Sequence, residues 1–343
     1  MNIKPLRLIP QIMAVVLTMF GMAACLVTTT SAPTATSTQA SEPQSQELNS
    51  KNADGYVERG NVCYEEGEKT NSIANFSKAI ELNPKLASAY FGRGNVYYEQ
   101  GEKTKAFNDY SKAIELNYNY AEAYYSRGIV YDEQGEKTKA IDDFSKAINV
   151  NPNYAIAYYG RGLVYDEQGE KTKAIDDFSK TIELNPNFAD VYYSRGIVNN
   201  DQGEKTKAIK DYSKAIELNP NFALAYVNRG NVYNDQGEEN KALADYSKAI
   251  DVNPNLALAY NNRGRAYNNQ GEKRKAINDL SKAIELNPHY ALAYYNRGLA
   301  YSGLEDKQSA IQNYQKAADL FKQEGKISEY QNTVSQIQYL SKK

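Results

Sequence analysis

AEAYYSRGIVYDEQGEKTKAIDDFSKAINVNPNY, residues 121–154, is the stretch that decides the fold, because close copies of these 34 residues precede and follow it. Eight copies follow one another without an insertion, and positions are counted from the residue that starts each copy. The copies start at Ala53, Ala87, Ala121, Ala155, Ala189, Ala223, Ala257 and Ala291. Repeats of this period build arrays in which each unit buries its apolar face against its neighbours. Almost no chain is left for a separate catalytic domain.

Each copy predicts two amphipathic helices. Apolar or small side chains recur every three or four positions in two separate stretches of residues 121–154. These side chains are Tyr124, Gly128, Tyr131, Ala140, Phe144 and Ala147. Gly135 stands where the first helix must stop, because Gly adopts a left-handed conformation without Cβ strain. Pro152 cannot continue the second helix, and Asn153 is a candidate N-cap for the next repeat. The sequence therefore predicts an all-α chain of helical hairpins.

These residues resemble the tetratricopeptide repeat, with aromatic residues at positions 4, 11 and 24, Gly or Ala at 8, Ala at 20 and 27, and Pro at 32. The resemblance implies a right-handed superhelical solenoid of eight helix-turn-helix repeats over residues 53–324. The repeats are residues 53–86, 87–120, 121–154, 155–188, 189–222, 223–256, 257–290 and 291–324. A further amphipathic helix in residues 325–343 resembles the polar cap that terminal repeats require.

Position 7 departs from the family pattern, because the usual Leu is replaced by Arg in all eight repeats. The row is Arg59, Arg93, Arg127, Arg161, Arg195, Arg229, Arg263 and Arg297. Acidic residues recur at position 23 with similar regularity, as Asp109, Asp143, Asp177, Asp211, Asp245 and Asp279. A charged residue inside a helical core needs an opposite charge beside it. We therefore expect ion pairs between position 7 and position 23 of the same or the preceding repeat.

The first 24 residues have the features of an export signal. Lys4 and Arg7 precede an apolar stretch that is shorter than a comfortable membrane span. Met22-Ala23-Ala24-Cys25 follows and resembles the lipobox of bacterial lipoproteins, in which lipid is attached to the Cys and cleavage occurs before it. We expect residues 1–24 to be a signal peptide and Cys25 a lipidation site on a bacterial membrane, facing the periplasm or the outside. An ordinary secretory signal, and hence a soluble secreted protein, is the alternative.

Residues 25–52 are rich in Ser, Thr, Pro, Ala and Gln and show no helical or strand period. Such a composition does not bury enough apolar surface to fold, so we expect a disordered tether. A random coil of this length spans about 30 Å. The repeats would then stand off the membrane surface.

Composition argues against several functional classes. The formal net charge is −2 and no basic stripe is present, so nucleic acid is not an expected partner. One His and two Cys cannot supply a His/Cys metal site, and no cofactor is expected. No nucleophile, base and orienting residue form a catalytic set, because the regular Ser residues have no His to accompany them. The Gly-Glu-Lys-Thr segments lack the strand and first Gly of a phosphate loop. We predict that the protein is not an enzyme.

In the family that the chain resembles, side chains at positions 2, 5, 9, 12 and 13 of the first helix point towards a bound peptide. Carried over residue by residue, this pattern predicts a groove whose acidic residues stop after the sixth repeat. The candidate binding residues are Tyr125, Asp132, Glu133, Tyr159, Asp166, Glu167, Tyr193, Asp201, Asn231, Asp235 and Arg265. Aromatic rings beside carboxylates suit a basic peptide, because cation–π contact and charge complementarity act together. Charged residues on a helix face are also often merely solvated.

The sequence thus favours a non-catalytic scaffold that binds other proteins of the cell envelope, reaching the membrane through a lipid anchor alone. The resemblance extends to tetratricopeptide lipoproteins that hold peptidoglycan enzymes or assist the assembly of pili. A binding module for peptidoglycan or another polysaccharide is the alternative, because tyrosines and amides also stack on sugars and hydrogen-bond to them.

Overall fold

The computed structural model describes residues 42–342, and their side chains from residue 52 onwards. The predicted signal peptide and Cys25 lie outside these residues. The described residues form seventeen α-helices and no strand. The helices are α1 (Glu42–Glu65), α2 (Lys69–Leu82), α3 (Ala87–Glu99), α4 (Lys103–Leu116), α5 (Ala121–Glu133), α6 (Lys137–Val150), α7 (Ala155–Glu167), α8 (Lys171–Leu184), α9 (Ala189–Asp201), α10 (Lys205–Leu218), α11 (Ala223–Asp235), α12 (Glu239–Val252), α13 (Ala257–Asn269), α14 (Lys273–Leu286), α15 (Ala291–Ser302), α16 (Lys307–Gln323) and α17 (Ile327–Lys342). The prediction of consecutive helical hairpins is confirmed.

The chain forms two compact units. Helices α1–α8 belong to the unit that ends at Pro186, and α9–α17 belong to the unit that begins at Asn187. In each unit the two helices of a repeat pack against each other, and the second helix packs against the first helix of the following repeat. A single hairpin buries only one side of each helix, so this stacking supplies the rest of the core.

The close approach of the paired helices depends on the small residue at position 8. A Cβ on Gly128 would lie 2.8 Å from Cε1 of Phe144, which is fully buried between the helices. Gly128 therefore leaves the space that the ring fills. The turn between the helices depends on Gly135, whose φ is +80°. The Gly135 N–H donates to the carbonyl of Asp132 at 3.0 Å and closes the helix end.

The predicted N-cap at Asn153 is wrong. The cap of α7 is Tyr154, and its side chain makes no capping hydrogen bond. Asn151 instead accepts a hydrogen bond from the backbone N–H of Asn153 at 3.1 Å, which stabilises the turn after α6. The amide side chain two residues earlier fits this turn because Asx side chains readily bond to the backbone two residues on.

Helix α1 begins at Glu42, so residues 42–52 are helical although the sequence places them in the tether. Pro43 stands in the first turn, where its missing N–H has no intrahelical partner to lose. At the other end, α17 packs on α16 and buries Thr333 and Leu340. The apolar side chain of Ile327 is 56% exposed. It is the first residue of α17, at the edge of the packed surface.

Candidate functional site

The first helices of the repeats form one face within each unit. Helix α1 contacts α3 and α5 contacts α7, while α11 contacts α9 and α13, and α13 contacts α15. We call this surface the first-helix face. It includes all eleven groove residues that the sequence predicts. Their burial and partners decide which of them remain available to a ligand.

Beneath this face the position-7 arginines join three helices. In repeats 2 to 7, Nε and Nη2 of the Arg donate to both carboxylate oxygens of the position-23 Asp of the same repeat, at 2.7–3.0 Å. These pairs are Arg93–Asp109, Arg127–Asp143, Arg161–Asp177, Arg195–Asp211, Arg229–Asp245 and Arg263–Asp279. Nη1 of Arg161 also donates to Ser145 of the preceding repeat at 2.9 Å. The predicted ion-pair ladder is confirmed, with both partners in one repeat.

The environment of each arginine explains why charge is tolerated there. In repeats 2 to 8 the guanidinium carbon lies 5.6–6.0 Å from the centroid of a tyrosine ring at position 4 or 11. Arg161, for example, lies over both Tyr158 and Tyr165. The hydrogen bonds that Arg161 donates to Asp177 raise the pKa of Arg161. Repeat 8 has Asn313 in place of the Asp, and burial there lowers the pKa of Arg297. The carboxylate at position 23 therefore compensates the buried positive charge of the arginine.

The position-5 tyrosines are not available to a ligand, contrary to the expectation from sequence. Tyr125, Tyr159 and Tyr193 are at most 2% exposed. The ring of Tyr125 lies 5.6 Å from both Phe144 and Tyr154, and that of Tyr193 lies 4.7 Å from Phe222. These rings fill the space between adjacent repeats, because position 5 faces the next hairpin. The expectation that these rings contact a cation of the partner is therefore wrong.

The acidic residues of the third and fourth repeats do not simply face solvent. Asp132 is 1% exposed and accepts a hydrogen bond from Lys137, and Asp166 is likewise buried beside Lys171. Lys137 also pairs with Glu167 of the next repeat. Burial acts to lower the pKa of Lys137, but the two carboxylates outweigh it and the pKa rises. Asp132 and Asp166 are thus buried in the packed structure and are not merely solvated.

Lysines at position 17 and acids at position 13 of the next repeat form a row of pairs across the N-terminal unit. Lys103 lies 3.1 Å from Glu133, and Lys69 lies 3.2 Å from Glu99. Glu133 also accepts a hydrogen bond from the Tyr98 hydroxyl at 2.7 Å. Burial raises the pKa of Tyr98, and this bond adds to the rise. These pairs offset much of the negative charge that the sequence suggests for a basic ligand.

Asp201 and Asp235 are exposed at the ends of α9 and α11, whereas Asn231 and Arg265 are partly buried at position 9 of the C-terminal unit. Asn231 accepts hydrogen bonds from the Tyr246 hydroxyl and from Asn262, both at 2.9 Å. Nε of Arg265 is buried and has no hydrogen-bond partner. Asn231 and Arg265 thus lie in a different environment from the tyrosines with which the repeat pattern groups them.

A chain of buried amides, which the repeat pattern of the family does not predict, lies beside Asn231. Asn296 donates to Asn261 at 2.9 Å, Asn261 donates to Asn262 at 3.0 Å, and Asn262 donates to Asn231. Asn228 donates to the Tyr193 hydroxyl at 3.0 Å, and its own Oδ1 is buried without a partner. The signal was present at position 6, which changes from Gly or Ser in repeats 2 to 5 to Asn in repeats 6 to 8.

Within residues 42–342, no helix is both long and apolar enough to cross a membrane. The same residues contain no group of three or more His, Cys, Asp or Glu side chains placed to hold a metal ion. Cys63 is a free thiol, partly buried at position 11, with Asn75 Nδ2 at 3.6 Å from its sulfur.

Sequence profiles of two kinds cover nearly all of the array. Profiles described as TPR repeat match residues 60–101, 94–135, 198–237 and 230–271, and profiles described as tetratricopeptide repeat match residues 121–154, 155–188, 257–290 and 291–324. The chain belongs to the tetratricopeptide repeat family. No curated protein matches it. Tetratricopeptide arrays present extended surfaces to other proteins, and members of the family generally act as non-catalytic scaffolds.

Solved tetratricopeptide structures share the fold. A tetratricopeptide repeat protein from Parabacteroides merdae is 22% identical with a TM-score of 0.53, and the match covers 73% of this chain and 99% of that one. The pilF protein of Pseudomonas aeruginosa is 18% identical with a TM-score of 0.57, covering 62% of this chain and 96% of that one. YrrB, a TPR protein with an unusual peptide-binding site, is 30% identical with a TM-score of 0.47, covering 54% and 95%.

Proposed function

We propose that the protein is an exported, lipid-anchored scaffold that binds extended segments of cell-envelope proteins on its first-helix face. The observation that supports this most is the set of polar side chains at positions 9 and 13 of the C-terminal unit. Asn231 and Arg265 are partly accessible, and Asp235 is exposed, while the surrounding tyrosines are used in packing. Amides and a guanidinium supply donors and acceptors for the backbone and side chains of an extended peptide.

Export and lipidation rest on the sequence of the N-terminus, which lies outside the described residues. The Met22-Ala23-Ala24-Cys25 motif supports attachment of lipid to Cys25. A lipoprotein carries several acyl chains, and more than one chain is needed for lasting membrane attachment. The repeats would thereby be held near the membrane in which the partner protein resides.

The proposal is tested by placing a photoactivatable benzoylphenylalanine at two exposed positions of repeat 6. Asp235 lies at the end of first helix α11, and Lys248 lies on second helix α12. In living cells we expect a discrete protein adduct from Asp235 and none from Lys248. Adducts from Lys248 alone would show that the second-helix side binds the partner and would overturn the choice of face.

Binding of polysaccharide is the second candidate, because buried and exposed amides also hydrogen-bond to sugar hydroxyls. Sedimentation of the same two variants with purified cell wall distinguishes a protein partner from a polysaccharide ligand. Retention on cell wall, with no protein adduct from either position, would replace the protein partner by peptidoglycan. Adducts from Asp235 without cell-wall retention support the protein partner.

A further inference from the structure

Repeat 7 differs from the N-terminal repeats in the balance of charge on its first-helix face. In repeats 3 and 4 the position-17 lysines Lys137 and Lys171 each pair with a carboxylate at position 12 of their own repeat. Repeat 7 has Asn268 at that position, and Lys273 donates to the Oδ1 and the carbonyl oxygen of Asn268 at 2.8 and 2.7 Å. Lys273 therefore has a neutral partner.

The next repeat does not supply the missing charge. Position 13 of repeat 8 is Gly303, and a Cβ there would lie 2.8 Å from Cε of Lys273. The lysine stem thus lies against the glycine that stands in place of an acid. Lys103 and Lys137, by contrast, each reach an acid at position 13 of the following repeat. Lys273 has no carboxylate at either of the positions that serve the other lysines.

Arg265 is a second cation without a carboxylate, one turn before Asn268 on the same side of α13. Its Nε is buried and has no hydrogen-bond partner, and neither Arg265 nor Lys273 forms an ion pair in the described part of the chain. The guanidinium lies close enough to Tyr246 and Tyr290 to offset part of the rise in their pKa that burial causes, and both end at about 12. Arg265 is thus held among neutral groups.

A buried guanidinium donor that lacks an acceptor is costly, and a carboxylate matches the paired N–H groups of arginine in a planar, two-bond arrangement. Titratable groups that face Arg265 are Tyr246 and Tyr290. Two acids act on the same Tyr246, the exposed Asp235 and the buried Asp245, and Asp245 is paired with Arg229. Because the negative charge of Asp235 is nearby, a singly charged carboxylate fits better than a doubly charged phosphate.

The geometry points to an acidic peptide segment as the ligand of repeat 7, with one carboxylate at the partly accessible side chain of Arg265 and a second acid near Lys273. This deepens the proposed scaffold function and rests on it. It also reverses the sign of the partner that the sequence predicts, because the acidic residues of repeats 3 and 4 already have lysine partners.

The test uses the full chain in detergent and four pools of dodecapeptides, each randomised over neutral residues around a fixed central pair. The pairs are Asp-Glu, Asn-Gln, Lys-Arg and two phosphoserines, and half of each pool has an amidated C-terminus. We expect preferential capture of the Asp-Glu pool, about tenfold weaker capture by Arg265→Gln, and an intermediate loss in Arg265→Lys, which keeps the charge but not the two-bond geometry. Arg274→Gln is the matched control, because it removes the same charge from an exposed site in the first turn of α14.

The individual outcomes separate this inference from the function on which it rests. Equal capture of the Asp-Glu pool by Arg265→Gln, with helical content intact, would overturn the role of Arg265. Preference for the amide, basic or phosphoserine pool would overturn the acidic ligand and leave peptide binding in place. Capture of only those Asp-Glu peptides that have a free C-terminus would transfer the site to a terminal carboxylate and overturn the side-chain assignment. Capture of no pool would remove both proposals.

The chemical shift of the Arg265 Nε–H resonance in an NMR spectrum reports directly on binding at this side chain. A peptide selected from the Asp-Glu pool should shift this resonance as the guanidinium gains a charged acceptor. Absence of a shift while the peptide remains bound would place the ligand elsewhere on the protein.

Discussion

At the scale of single residues, the position-7 arginine shows how a charged side chain can replace an apolar one in a helical core. Arg161 makes two hydrogen bonds of 2.8 Å to Asp177 and one of 2.9 Å to Ser145, so its polar atoms face partners on two second helices. A buried charge is stable only when its partner and its remaining donors are satisfied. The Arg and the Asp therefore function as a unit.

The ion pair between Arg161 and Asp177 leads to a prediction about stability. Asp177→Ala should lower the free energy of unfolding by about 3 kcal/mol, because it leaves the Arg161 charge without its carboxylate. Arg161→Leu combined with Asp177→Ala should cost less than Asp177→Ala alone, since Leu needs no partner. Urea unfolding followed by circular dichroism measures both. Lys180→Gln is the control and should change nothing measurable, because Lys180 is in an exposed pair with Glu183. Additive losses in the double variant would contradict the pairing.

A second prediction concerns the buried carboxylate at position 12. Asp132→Asn should lower the free energy of unfolding by about 2 kcal/mol, because Lys137 loses a charged acceptor in a buried place. Asp142→Asn is the matched change at an exposed Asp that pairs with Lys146, and it should leave stability nearly unchanged. Thermal unfolding compares the two variants. Equal melting temperatures would contradict this prediction and would mean that Asp132 is solvated and accessible to a ligand.

The contrast between Arg161 and Asp132 shows what could be predicted from sequence. The Arg row recurs in every repeat and the Asp row recurs at the same spacing in repeats 2 to 7, so their pairing follows from periodicity alone. Asp132 and Lys137 are five residues apart across a turn, a separation at which helical spacing predicts no contact. Tyr159 was misplaced for a related reason, since its burial depends on how neighbouring hairpins stack. Amphipathic patterns locate a face but do not say which of its residues a neighbour covers.

At the scale of one element, the turn inside each repeat depends on a single backbone conformation. The glycines at position 15 have φ values of +77° to +83° in repeats 1 to 7, and nothing lies near the site of a Cβ on Gly135. The cost of a side chain there is therefore conformational and not steric crowding. Glycine is selected by the left-handed backbone, and the rest of the turn follows from it.

Gly135→Ala should therefore lower the free energy of unfolding by about 1 kcal/mol, and Gly135→Asn should cost less, because Asn tolerates the left-handed region. Gly55→Ala is the control in an ordinary part of helix α1, with open space around a Cβ. That change should raise stability by up to about 1 kcal/mol, since Ala is the better helix former. Urea midpoints that move in the same direction for both Ala variants would exclude the conformational explanation.

At the scale of the whole molecule, the terminal repeat is expected to open first. Repeat 1 has Asn75 at position 23, so Arg59 lacks the carboxylate that its counterparts have and lies 4.1 Å from the Tyr56 ring. Arrays of this kind derive stability from each repeat and its neighbours, and the first repeat has a neighbour on one side alone. Amide hydrogen exchange should be faster in α1 than in α5. Equal protection in the two helices would contradict this order of opening.

The last prediction concerns attachment to the membrane. Cys25→Ser should move the protein from the membrane fraction to the soluble fraction, because the serine hydroxyl does not accept the thioether-linked lipid. Fractionation of cells with and without detergent, followed by immunoblotting, measures the distribution. Cys63→Ser is the control and should leave the protein in the membrane fraction. Release of the unaltered protein by a wash without detergent would rule out the anchor.

The backward bond from each position-7 arginine has a consequence for how such a chain changes over generations. Arg127 meets Ser111 of the preceding repeat, and Arg161 meets Ser145 in the same way. If residues 121–154 were lost from the gene, Arg161 would follow directly after the repeat that contains Ser111 and would find the same hydroxyl. Unequal recombination between the near-identical copies would therefore restore this Arg–Ser bond at the new junction. The number of repeats can thus vary by inheritance while this bond is kept.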